Sequence, residues 1–175
     1  MIHSESLARI RFPLVVVVVL VLQNTLAASV SIAGAHPDLL SDLVVGTCLG
    51  RGSRRGAVIG FAIGCVADLF AATPFGLWAL VDLIVGYGLG SVSKDRLDNS
   101  RWFLPLAGGA GAGFAVVLFA LAAAGVGVKG VLGVHLAVVV AVVGATSVVL
   151  VPLMMGLARW SLPPEPQGYA GAWGR

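Results

Sequence analysis

GAVIGFAIGCVADLFAATPFGLWALVDLIVGYGLG, residues 56–90, carries two rows in one four-residue register. Gly56, Gly60, Gly64 and Asp68 lie before Thr73-Pro74, and Asp82, Gly86 and Gly90 lie after it. Asp38, Asp42, Gly46 and Gly50 form a third such row upstream. Four residues is a slightly overwound helical turn, so each row makes a ridge that drifts slowly around its helix and lets a neighbouring backbone approach closely. The residue before a proline is driven out of helical conformation, so Thr73-Pro74 divides the stretch into two helices. A tight helical hairpin with glycine on its contact faces is the predicted structure. An ionised carboxylate at bilayer depth costs about 2.5–3.5 kcal/mol, so acids on these ridges should face protein or water rather than lipid.

Working outward, the whole chain shares the apolar character of this stretch. Of its 175 residues 58% are hydrophobic and 11% charged, with a mean hydropathy of +1.00. A soluble domain of that composition lacks the polar residues to cover its surface, which makes the chain an integral membrane protein of a single domain. Apolar runs place six transmembrane helices at about 12–31, 38–50, 57–72, 75–92, 103–124 and 131–157, giving an all-α polytopic fold over 1–160. The second run spans only about 20 Å, short for a bilayer, so thinning of the membrane or re-entry is left open. Pro152 is expected to kink the last turns of the sixth helix. Residues 161–175, with Pro163-Pro164-Glu165-Pro166, read as a disordered cytoplasmic tail.

Orientation follows from the 11 Lys and Arg residues. With the amino terminus cytoplasmic, Arg9, Arg11, Arg51, Arg54, Arg55, Lys94, Arg96, Arg101, Arg159 and Arg175 fall inside and only Lys129 outside. The same count favours the short second run as a true crossing, because re-entry would put Arg51, Arg54 and Arg55 on the outer face. Both termini are then cytoplasmic. The cations meet anionic lipid at the inner surface and do not indicate nucleic acid. Arg9, Arg11 and Ala33-Gly34-Ala35 also resemble parts of a signal peptide, but the apolar run between them is longer than the usual 7 to 15 residues.

Candidate chemistry is sparse. Cys48 and Cys65 lie in apolar runs without metal-type spacing, and His3, His36 and His135 are scattered, so no metal site or cofactor is expected. Phosphate-binding and serine-nucleophile motifs are absent, and the run Gly108-Gly109-Ala110-Gly111-Ala112-Gly113 reads as a packing surface. Asp68 and Asp82 are the one conceivable aspartyl dyad, but neither lies in a motif of that chemistry. A non-enzymatic protein is expected. Asp38, following Pro37, suits an amino-terminal helix cap, and Asp68 suits a bond to the backbone of Thr73-Pro74-Phe75-Gly76. Asp42 and Asp82 have no such local role. They are expected to face each other, to bond to hydroxyls such as Thr25 and Ser29, or to meet a partner's polar group.

Residues 56–69 (GAVIGFAIGCVADL), Pro74-Phe75-Gly76-Leu77-Trp78-Ala79-Leu80 and Val85-Gly86-Tyr87-Gly88-Leu89-Gly90 resemble the MreD family of bacterial rod-shape proteins. Gln23, Pro37-Asp38-Leu39 and Arg51-Gly52-Ser53-Arg54-Arg55-Gly56 extend the resemblance, which covers about 21–90. It implies a scaffold of the cell-elongation machinery in the bacterial inner membrane. The implied partner is an MreC-like membrane protein, and through it an actin-like filament and a peptidoglycan synthase. It also implies a fold similar to the substrate-binding subunits of energy-coupling-factor transporters, with six helices around an outward-facing cavity. On this reading the second to fourth spans form a groove for a partner's transmembrane helix. Asp42 and Asp82 would orient that helix, Gly60, Gly64 and Gly86 would permit close approach, and Asp68 is counted with them as a candidate cavity or partner-binding residue; self-association is left open. The alternative is a subunit that binds a small solute for transport. Such subunits usually carry Ala-x-x-x-Ala on the first helix, and residues 12–22 contain no alanine, although Gly46 and Gly50 offer a similar contact.

Overall fold

The computed structural model describes residues 2–29, 36, 38–71, 73–92, 102–128 and 133–162. Among them are six helices: α1 (Ile2–Ser29), α2 (Leu39–Cys48), α3 (Ser53–Phe70), α4 (Leu77–Gly90), α5 (Phe103–Gly125) and α6 (Val134–Ser161). The all-helical fold expected from the apolar runs is present, and no strand occurs among the described residues. α6 runs through Pro152 as one helix and ends at Ser161, beyond the expected boundary. The tail from 163, the basic residues Lys94, Arg96, Arg101, Lys129 and Arg175, and Pro37 lie outside the described residues.

α2 is the hub. It touches all five other helices, and each of its residues from Leu39 to Cys48 is buried. Ten residues make a rod of only about 15 Å, and this resolves the difficulty of its length in physical terms. A helix sheathed by protein need not match the thickness of a surrounding solvent, because its backbone and side chains meet other helices. Gly46 brings α6 against it, since a Cβ there would lie 2.8 Å from the Met155 backbone nitrogen.

Two antiparallel pairs close around the hub, α3 with α4 and α5 with α6. In the second pair Gly109 faces the Gly144 carbonyl and Gly108 faces Val151, so the glycine run of α5 is the packing surface it was expected to be. Trp78 stacks on Phe119 with ring centroids 4.3 Å apart, joining α4 to α5. α1 lays Val15, Val16, Val19 and Leu20 on the core, and Arg11 stands 5.2 Å from the Trp160 ring centre, tying it to the end of α6.

The exterior is strongly apolar. Val58, Phe61, Leu80, Tyr87, Val149 and Leu153 are each about half exposed or more. Two helices, Phe103–Gly125 and His135–Ser161, are long and apolar enough to cross a membrane, and only 39% and 17% of their apolar windows is buried in the fold. They are therefore unlike the enclosed core helix of a soluble protein, which passes the same length test by hiding its apolar surface.

Candidate functional site

The α3 and α4 ridges mesh with each other. A Cβ on Gly56 would strike the Gly86 carbonyl oxygen, one on Gly86 would strike that of Gly56, and one on Gly60 would strike that of Asp82. Gly64 sits over Ala79, where a Cβ would lie 2.6 Å from the Cα, and Gly90 over Gly52. Each four-residue step up α3 is matched by a four-residue step down α4. At every step a glycine Cα hydrogen takes the place of a side chain and points at a carbonyl oxygen, a contact that adds weak polar attraction to van der Waals packing.

This geometry corrects one expectation. Gly60, Gly64 and Gly86 do not line a groove open to a partner helix, because the close approach they permit is already made between α3 and α4 of the same chain. The physical reason is reach: two ridges in one register, joined by a short turn, find each other before any second molecule can.

Asp68 finishes the hairpin. Its Oδ2 accepts from the Gly76 and Ala79 backbone N–H groups at 3.0 Å each, and its Oδ1 accepts from Trp78 N–H at 3.1 Å. A carboxylate from α3 thus satisfies the otherwise unpaired first donors of α4 and meets the positive end of its dipole. Gly76 stands at the entry with φ +98°, a conformation that strongly favours glycine. The expected bond from Asp68 to this turn is present at Gly76, and Trp78 and Ala79 beyond the turn donate to it as well.

Asp38 caps α2 as expected, accepting from Ser41 N–H at 3.2 Å and from the Ser41 hydroxyl at 2.7 Å. Gln23 of α1 assists by accepting from Leu40 N–H at 2.8 Å. Asp38→Ala should remove a cap worth about 0.5–2 kcal/mol. The expected result is a lower midpoint of thermal unfolding, followed by tryptophan fluorescence in mild detergent, with Gln23→Leu adding a smaller loss.

Asp42 and Asp82 differ from both. They are 0% and 1% exposed, and none of their four carboxyl oxygens makes a hydrogen bond of good geometry. They do not bond to each other or to Thr25, whose hydroxyl donates to the Val21 carbonyl at 2.8 Å; Ser29 has no described side chain. Asp82 lies in the α3–α4 contact with Asp38 and Asp68 as its charged neighbours. Asp42 stands apart in the first turn of α2, with the Ser147 hydroxyl of α6 as polar neighbour and Asp38 as charged neighbour. Ser147 is itself fully buried, and its oxygen also has no partner of good geometry.

Sequence reasoning passed over Ser147, although one signal was available: with Thr146 it forms the hydroxyl pair within a long aliphatic run. Thr146 is satisfied by the Val142 and Val143 carbonyls at 3.0 and 2.9 Å, which leaves Ser147 as the odd hydroxyl. Cys48, expected to act as a small hydrophobe, is buried and also donates to the Gly56 carbonyl at 3.3 Å, pinning α2 to the start of α3. No group of three or more His, Cys, Asp or Glu among the described residues is placed to hold a metal ion.

No family model, curated protein or solved structure matches this chain.

Proposed function

We propose that this chain is a multi-pass membrane scaffold of the bacterial cell-elongation machinery. Its six helices cross the inner membrane with both termini cytoplasmic, and it docks the transmembrane segment of an MreC-like partner in support of peptidoglycan synthesis. The support is the resemblance across residues 21–90 together with a helical body that turns large apolar side chains outward. Since the six candidate residues Asp42, Gly60, Gly64, Asp68, Asp82 and Gly86 are enclosed, the partner seats on outer helix faces and not among them.

The test is affinity purification of the full chain in mild detergent from cells that carry an MreC-like protein, with identification of everything retained. Recovery of that partner in stoichiometric amount is expected. Its absence, with a tightly held small molecule in its place, would favour the solute-binding alternative, which the unpartnered carboxyls of Asp42 and Asp82 recommend as the second reading. Uptake that depends on Asp82 would decide for that alternative. Gly60→Leu and Gly64→Leu cannot serve as docking variants, because both would separate α3 from α4.

A further inference from the structure

Arg11 of α1 stands over the Trp160 ring of α6, with its Cζ 5.2 Å from the ring centre. That contact uses only the flat face of the guanidinium, whose N–H donors lie around its edge. Arg11 makes no ion pair or hydrogen bond among the described residues. Arg159, the residue before Trp160, is exposed and likewise makes none. Ala158 and Ser161 are buried, so Arg159 and Trp160 both project from the outer side of α6. The negative end of the α6 dipole accounts for a cation at 159, but it does not supply acceptors for the donors of Arg11.

The charge at this end of the bundle has one sign. Gly46 lies against Met155, so the α2–α3 turn, with Arg51, Arg54 and Arg55, emerges at the same end as Arg159. The acids with described side chains lie elsewhere. Asp38 and Asp42 are at the opposite end of α2, Asp68 is about 20 Å along α3 from Arg55, and Asp82 is enclosed on α4. α6 contains no acid at all. An anion from outside the chain is what these guanidinium edges are open to, and a phosphate matches them in a bidentate geometry.

The surface beside the arginines selects the kind of anion. Leu14 and Val17 of α1 are 56% and 52% exposed, and Leu153 and Val149 of α6 are 60% and 74% exposed. Both helices therefore continue away from the charged end with bare aliphatic flanks. Free phosphate or an acidic peptide would use the cations and leave these flanks in water. A phospholipid uses both, with its head on the arginines, its acyl chains on the aliphatic side chains, and a tryptophan at the level between them. A zwitterionic head brings its own cation, so the unpaired arginines favour a lipid of net negative charge.

We propose that Arg11, Arg159 and Trp160 form a site for the phosphate head of one anionic phospholipid at the seam between α1 and α6. The lipid bridges the first and last helices of the bundle, independently of any partner protein. The site rests on the reading of the chain as a membrane protein, which has a test of its own: retention in the membrane fraction after alkaline extraction.

The experiment uses the full chain in mild detergent, unfolded thermally and followed by circular dichroism, with phosphatidylglycerol or phosphatidylcholine added at equal mole fraction. Phosphatidylglycerol should raise the wild-type midpoint by about 2–4 °C more than phosphatidylcholine does. The double variant Arg11→Gln with Arg159→Gln should abolish that difference and Trp160→Leu should reduce it, while Arg54→Gln, elsewhere on the basic end, should leave it. Equal midpoints in the two lipids overturn the proposal. So does an equal loss in Arg54→Gln, which would assign the preference to the whole basic face, and so does an equal rise in inorganic phosphate at matched ionic strength, which would make the site one for a free anion. Should the double variant fail to fold, native mass spectrometry of the wild type from an equimolar lipid mixture decides: one phosphatidylglycerol retained per chain supports the site, and equal retention of both lipids refutes it. A chain that withstands alkaline extraction but ignores the charge of the head group fails this proposal and leaves the membrane reading intact.

Discussion

Gly60→Ala is expected to destabilise the protein more than alanine at any exposed glycine, and Gly60→Leu to prevent recovery of folded protein. The new Cβ meets the Asp82 carbonyl oxygen, which belongs to a helix backbone and cannot swing aside as a side-chain tip can. α4 must move as a body, which loosens Gly56 on Gly86 and Gly64 on Ala79 at the same time. Overpacking of this kind costs about 1–3 kcal/mol for one methyl group, or about 2–4 °C in unfolding midpoint per kcal/mol for a chain of this size. Gly88→Ala and Gly156→Ala are the controls, because nothing lies within 4 Å of a Cβ at either site. They should be neutral or slightly stabilising. Size-exclusion profiles and thermal unfolding in mild detergent separate the two classes, and equal behaviour of Gly60→Ala and Gly88→Ala would refute the meshed-ridge account.

Asp68→Ala is expected to rank next. It leaves the Gly76, Trp78 and Ala79 N–H groups without their acceptor, at a turn where Asp68 is only 4% exposed. Water reaches such donors poorly, so the loss should exceed that at an ordinary exposed cap and approach or pass about 3 kcal/mol. Asp68→Asn should recover part of it, since the amide keeps one acceptor oxygen of two. Hydrogen exchange gives the sharper measurement. The first-turn amides of α4 should lose protection in Asp68→Ala, while those of α6 keep theirs. If both helices lost protection together, the carboxylate would be acting on the whole bundle and not as a cap.

Both predictions concern residues whose importance was legible and whose use was not. The register of Gly56, Gly60, Gly64 and Asp68 against Asp82, Gly86 and Gly90 stands out in the sequence, and it marks a surface made for close approach. What approaches is not written there, because a ridge of small residues accepts a helix of its own chain and one of another chain equally well. The caps were readable, since Asp38 and Asp68 each lie next to a turn whose donors are predictable from chain geometry. Ser147 was not, because its meaning depends on α2 lying against α6, more than a hundred residues away in sequence.

Taken alone, the sequence determined the apolar class, the helical segments to within a few residues for α2 to α5, the hairpin turn at Thr73-Pro74, and the two caps. All of these follow from composition and from contacts only a few residues apart. Tertiary structure alone decided that the short second helix is the enclosed hub, that the glycine ridges mesh with each other, and that Asp42 faces Ser147 and not Asp82. Those outcomes rest on which helix faces meet across the bundle, a property of packing that local periodicity does not carry.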